Sequence, residues 1–95
     1  MRIAIGLPML YPVHIEPGDA THAHGITVPD FPGCFSAADD WSEIPGNVQQ
    51  AAEAHFADGE PIPGPSDLQQ WVESRQYEGG FWVLVDIDLS RGSID

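Results

Sequence analysis

A chain of 95 residues has room for one packed domain and not for a second core of useful size. Hydrophobic residues make up 42% of it, enough to fill an interior, which argues against an intrinsically disordered chain. There are 15 acidic side chains against 3 basic ones (Arg2, Arg75 and Arg91) and no lysine, for a formal net charge of −12; nucleic-acid phosphates repel such a chain, and basic partners attract it.

The opening MRIAIGLPML has one Arg, Pro8 and no small-residue cleavage pattern, so it does not read as a signal peptide. It is either a short leading strand or an extension over residues 1–8. Leu10 to Glu16 (LYPVHIE) alternates with period two, placing Tyr11, Val13 and Ile15 on one face and His14 and Glu16 on the other, as a half-buried strand does. Pro17-Gly18-Asp19 supplies turn chemistry, and His22 to Val28 resumes as a second strand with Ile26 and Val28 on one face, so the pair predicts a hairpin. The prolines of Pro29-Asp30-Phe31-Pro32-Gly33 interrupt the ladder because neither has an N–H to donate. Cys34 to Ala37 has the length of a short third strand.

A helix follows, with Ile44, Val48, Ala51, Ala52, His55 and Phe56 on one face and Asn47, Gln50 and Glu53 turned outward. Asp40 and Glu43 have capping-box spacing, but that start would leave the Trp41 carbonyl facing the missing N–H of Pro45. Ser42 as N-cap is the preferred expectation, since Pro45 then falls in the first turn. Gly59 suits a helix stop. Glu60 to Pro65 (EPIPGP) reads as a stiff connector, and Ser66 as the cap of a short second helix through Leu68, Trp71 and Val72. Gly79-Gly80 ends that region. Phe81 to Leu89 (FWVLVDIDL) is the strongest strand pattern, with Phe81, Val83, Val85, Ile87 and Leu89 toward the core. Trp82 and Leu84 lie on its other face, followed there by Asp86 and Asp88. The order β-β-β-α-α-β predicts an α+β domain: a small antiparallel sheet of three to four strands with one main helix on one face and the other face partly open.

Four segments resemble the HicB family of antitoxins. VPDFPGCFSAADD, Val28 to Asp40, is similar to that family's PDLPGCFSAGDT, and DGEPIPGPSDL, Asp58 to Leu68, to its DGEPIPEPSSL. VLVDIDLS, Val83 to Ser90, resembles its VDVDLS strand, and YPVHIEPGD, Tyr11 to Asp19, its opening YPxxIE. Together they span residues 9 to 90 in the family's order and spacing. The resemblance implies a partial ribonuclease-H-like fold filling a single antitoxin domain over 1–95. It also implies a non-enzymatic role: binding HicA, a small basic mRNA-cleaving toxin of double-stranded-RNA-binding-like fold with a catalytic histidine, and covering its active surface. Many members of the family continue past VDVDLS into a ribbon-helix-helix or helix-turn-helix domain. Here RGSID, at 91–95, is a truncated or linker-like end, so DNA binding is not expected of these residues.

Candidate toxin contacts are Glu16, Asp19, Asp30, Asp39 and Asp40, from the hairpin and the loops around the third strand, with Phe31 as an aromatic anchor. Each has a plainer alternative: Asp30 as a turn former, Phe31 as core, the acids as a solvated rim. Trp82 and Leu84 are expected to bury against a second copy in a homo-oligomer. Asp86 and Asp88, with Glu16 on a possible neighbouring strand, also suit the acidic metal cluster of a ribonuclease-H-like nuclease, but the Asp86–Asp88 pair lies at the end of the last strand with no further partners assured. His22 and His24 face one way on a strand, yet nothing completes a zinc site around them. His55 reads as a half-buried histidine, and EPIPGP as a spacer rather than an SH3 ligand. Cys34 reads as a small core residue that forms no internal disulfide. Because the fold then needs no disulfide, the expected setting is the cytoplasm; no apolar run approaches the roughly 20 residues of a membrane span, and no cofactor is expected. An orphan HicB-like regulatory or assembly domain is the remaining alternative.

Overall fold

Period-two alternation produces the sheet. In the computed structural model, which describes residues 9–89, the chain forms β1 (Leu10–Glu16), β2 (His24–Thr27), β3 (Phe35–Ala38), α1 (Ile44–His55), α2 (Leu68–Val72) and β4 (Phe81–Asp86). The four strands pair antiparallel in the order β3-β2-β1-β4, the α+β architecture the sequence predicts. The expectations for residues 1–8 and 91–95 lie outside the described residues.

Register carries the alternation across the strands. Ile15 stands opposite Ile26 on one side and Phe81 on the other, and Val13 opposite Val83, so one face becomes continuous and apolar. There α1 presents Ile44, Val48 and Ala52, and the joint core takes in Tyr11, Val13, Ile15, Ile26, Val28 and Phe31. Complete burial of a side chain such as Val13 or Ile15 stabilises by about 1.5–3 kcal/mol. Polar side chains fix the helix at both sheet edges. Asn47 Nδ2 donates to the Ala37 carbonyl at 2.8 Å, and the Gln49 amide donates to Asp88 O and accepts from Asp88 N at 2.7 and 2.9 Å.

The helix start differs from the Ser42 expectation. Asp40 caps a single 3-10 turn, Trp41–Glu43, through a capping box with Glu43, and α1 then begins at Ile44 with Pro45 in its first turn. The conflict at Trp41 disappears because the Ile44 N–H takes the Trp41 carbonyl in a tighter i+3 bond. The second cap also shifts. Asp67, not Ser66, accepts the Gln69 N–H at 3.1 Å, because the Ser66 N–H and hydroxyl are both given to Asp30. β2 is shorter at both ends than predicted, β3 is shifted by one residue, and β4 stops at Asp86, although the Ile87 N–H still reaches the Met9 carbonyl at 3.1 Å. Phe81, expected in the core, lies at the open end of the helix face and is 40% exposed.

The connector between the helices is tied to the sheet. Tyr11 Oη donates to the Pro63 carbonyl at 2.7 Å and Asp30 holds Ser66; beyond them the chain reaches the reverse face of the sheet, where Tyr77 packs on His14 and Trp82. Gly80 brings it back into β4: its φ of +64° is open to glycine, and a side chain there would run into the Ile15 carbonyl and the His14 ring.

Candidate functional site

Two surfaces carry the exposed chemistry. The first lies at the hairpin end of the sheet, beside edge strand β3. Asp19, Asp39 and Asp40 are exposed there; Asp19 and Asp39 line one shallow concavity of about 330 Å3, and Asp39 and Glu43 line another of about 290 Å3. The sequence had not singled out Glu43 as a contact, although its capping role places it there. Asp19 Oδ1 accepts from the Thr21 N–H at 2.9 Å and meets His22 Nδ1 at 2.8 Å; the backbone bond from Thr21 foremost, then His22, holds its carboxyl below the usual value of 3.8. Next to these acids the His24 ring stacks on Trp41 with centroids 3.9 Å apart, and Trp41 meets Phe81 at 5.1 Å. Trp41 is 45% exposed. No periodic pattern marked this stack, because its three rings come from separate elements.

Two predicted contacts prove internal. Phe31 is 0% exposed, with its ring centroid 4.7 Å from Tyr11 and 4.8 Å from Phe56, so it is a core residue and not an interface anchor. Asp30 is partly buried and spends its carboxylate on the Ser66 N–H, at 2.9 Å, and the Ser66 hydroxyl. Its charge also adds to the rise of the Tyr11 phenol pKa, which is caused first by burial. Phe31 is core, as its plainer reading has it, whereas Asp30 is not a local turn former, because its carboxylate reaches Ser66, 36 residues further along the chain.

The second surface is the reverse face of the sheet. Glu16 belongs here and not with the hairpin acids, because it alternates with Ile15 and emerges on the other side. His14, on the same face, is 8% exposed, and its Nε2 lies 2.8 Å from the Gly79 carbonyl; a carbonyl only accepts, so Nε2 carries the hydrogen. Tyr77 and Trp82 pack on His14 with centroids at 5.3 and 4.9 Å, and Trp71 meets Tyr77 edge-on at 6.0 Å. Beside this group opens a cavity of about 510 Å3, bounded by the Pro29–Gly33 loop, by Phe35 and by the Gln76–Glu78 segment. Trp82, predicted to meet a second copy, is thus partly covered by this chain's own Tyr77, whereas Leu84 stays 51% exposed.

The remaining titratable groups are dispersed. Asp86 pairs with Leu10 at one end of β1 and Glu16 lies at the other, about 20 Å away by strand rise, so these carboxylates do not converge as a nuclease centre requires. Among the described residues no group of three or more His, Cys, Asp or Glu is placed to hold a metal. His22 is bound to Asp19, while His24 Nδ1 accepts from the Gly18 N–H at 2.8 Å. Cys34 is buried, and burial raises its thiol pKa. No helix of the described residues is long and apolar enough to cross a membrane.

One helix across four antiparallel strands, with a second short helix strapped over the reverse face, defines an acidic α+β domain of a type already seen in solved structures. The antitoxin HicB of Burkholderia pseudomallei is 30% identical with a TM-score of 0.69, over 86% of this chain and 65% of that one. A chain of the HicA3 and HicB3 toxin–antitoxin complex is 30% identical with a TM-score of 0.65, over 84% of this chain and 99% of that one. An uncharacterized 14.9 kDa protein of the rep-hol intergenic region in Haemophilus phage HP1 (strain HP1c1) is 35% identical over 87 residues, which are 87% of this chain and 64% of the phage protein. The chain thus spans under two thirds of that relative's length. The family model described as HicB_like antitoxin of bacterial toxin-antitoxin system matches residues 11–93. This chain belongs to that family.

Proposed function

We propose that this domain is the antitoxin of a type II toxin–antitoxin pair and that it binds and masks a basic, HicA-like mRNA-cleaving toxin. The observation that carries the reading is the placement of charge. Every carboxylate of the described residues except Asp30 is exposed, and Arg75 is the one Lys or Arg among those residues. A cationic protein meets an almost uninterrupted negative surface, which speeds encounter and excludes nucleic acid from the same sites. The likeness to a chain of the HicA3 and HicB3 complex supports the class of partner. The mechanism is steric and electrostatic: the acids steer the toxin, and the rigid sheet then covers the surface that would take RNA.

The reading predicts a small basic protein encoded beside this chain, and that protein is the one to test. Equimolar addition of the domain is expected to stop that protein's cleavage of a labelled transcript and to co-elute with it. Unabated cleavage with no co-elution contradicts the proposal, and magnesium-dependent cleavage by the domain alone, lost in Asp86→Asn, would instead support a nuclease.

A further inference from the structure

The reverse-face cavity has a composition that selects its occupant. Its lining includes the aromatic residues His14, Tyr77, Trp71 and Phe35 together with Glu16 and Glu78. No Lys or Arg lines it, and neither carboxylate has an ion-pair partner among the described residues. Two uncompensated carboxylates beside aromatic faces disfavour an anion and leave a neutral apolar group without use for the charge. A planar cation satisfies both features, stacking on an aromatic face while its N–H groups bond carboxylate oxygens.

The walls are also held in place. His14 is fixed by its bond to the Gly79 carbonyl and by its contacts with Tyr77 and Trp82. The opposite wall, Pro29 to Gly33, is anchored by the buried Phe31 and by the Asp30–Ser66 clamp. A cavity whose lining is already ordered binds without first having to freeze its own side chains.

We infer that this cavity is the anchoring subsite for a guanidinium side chain, an arginine of the basic partner protein, held between the Trp71–Tyr77 rings and the carboxylates of Glu16 and Glu78. The inference rests on the proposed partnership for the source of the arginine, and on the cavity itself for the chemistry. It assigns docking to the reverse face, away from the Trp41 stack.

Two arms separate the inference from the reading beneath it. In the first, the intact chain is titrated at low salt with acetyl-arginine amide, and the three indole N–H signals are followed by NMR, with the citrulline analogue as a neutral isostere of the same shape. Saturable shifts at Trp71, absent with citrulline and weakened about tenfold in the Glu16→Gln/Glu78→Gln variant, are expected. Those surface substitutions leave the core untouched. Shifts centred on Trp41, or equal shifts with citrulline, overturn the subsite. In the second arm the same variant is tested against the basic toxin. An unchanged Kd there removes the cavity as the anchor while leaving the antitoxin reading intact. If the toxin binds neither protein, the antitoxin reading fails and the arginine arm alone decides the subsite.

Discussion

On the helix-covered side of the sheet, Tyr11, Val13, Ile15 and Ile26 are sealed under α1; on the reverse side, Phe35 is 67% exposed and Leu84 nearly as open, with only α2 and the turn after it laid across part of the surface. Both sides come from the same four strands, and the same alternation builds them. They differ in what covers them. A long amphipathic helix closes the first side as a continuous hydrophobic surface. A short segment held by hydrogen bonds and ring contacts half-closes the second and leaves a cavity. The first side stores the stability of the domain, and the second, together with the acidic hairpin end, keeps its surface available for recognition.

Substitutions should separate the two sides by size of effect. Phe31→Ala, in the sealed side, should cost about 3–5 kcal/mol in urea unfolding, a large part of what a domain this small possesses. A loss under 1 kcal/mol would mean that Phe31 is not the core residue its burial indicates. Asp30→Ala should cost about 1–3 kcal/mol, because it strands the Ser66 N–H and hydroxyl, and it should also loosen the strap over the reverse face. Faster amide exchange in residues 66–77 with little change in β1 would show that the clamp serves the second side. Leu84→Ser should change stability by no more than about 0.5 kcal/mol. If Leu84 joins two copies, as we propose, wild type should sediment as an oligomer at micromolar concentration and this variant as a monomer; a monomeric wild type contradicts that proposal.

The smallest expected effect is at the hairpin tip. Asp19 has its carboxyl held below 3.8 in the folded chain, so its contribution is present above the unfolded value and is lost as pH falls through the lower folded one. The Thr21 amide signal should therefore titrate with a midpoint below 3.8 while the core signals hold steady. A midpoint at or above 3.8 would contradict the bond from the Thr21 N–H.

Much of the sealed side was legible in the sequence because it is set by periodicity: Tyr11, Val13 and Ile15 at spacing two, and Ile44, Val48 and Ala52 at helical spacing, announce their faces without tertiary information. The caps were harder to read. The turn that relieves Trp41 is local, but capping-box spacing alone does not tell a 3-10 start from an α-helical one, and the engagement of Ser66 by Asp30, 36 residues away, is a tertiary fact that no local rule contains. The reverse face was legible only as being open. His14, Trp71 and Tyr77 come together through the strap, and their spacing along the chain carries no period that would pair them. The acidic candidates were read correctly as exposed at Glu16, Asp19, Asp39 and Asp40, but Glu16 faces a different side from the other three.

The affinity of this domain for the proposed basic toxin, measured from low salt to about 0.5 M, tests the central claim most directly. Masking led by exposed carboxylates predicts tight binding at low ionic strength, with Kd rising steadily as salt screens the charges and faster association accounting for much of the low-salt gain. An affinity that stays flat across that range, or no binding even at the lowest salt, would contradict the account.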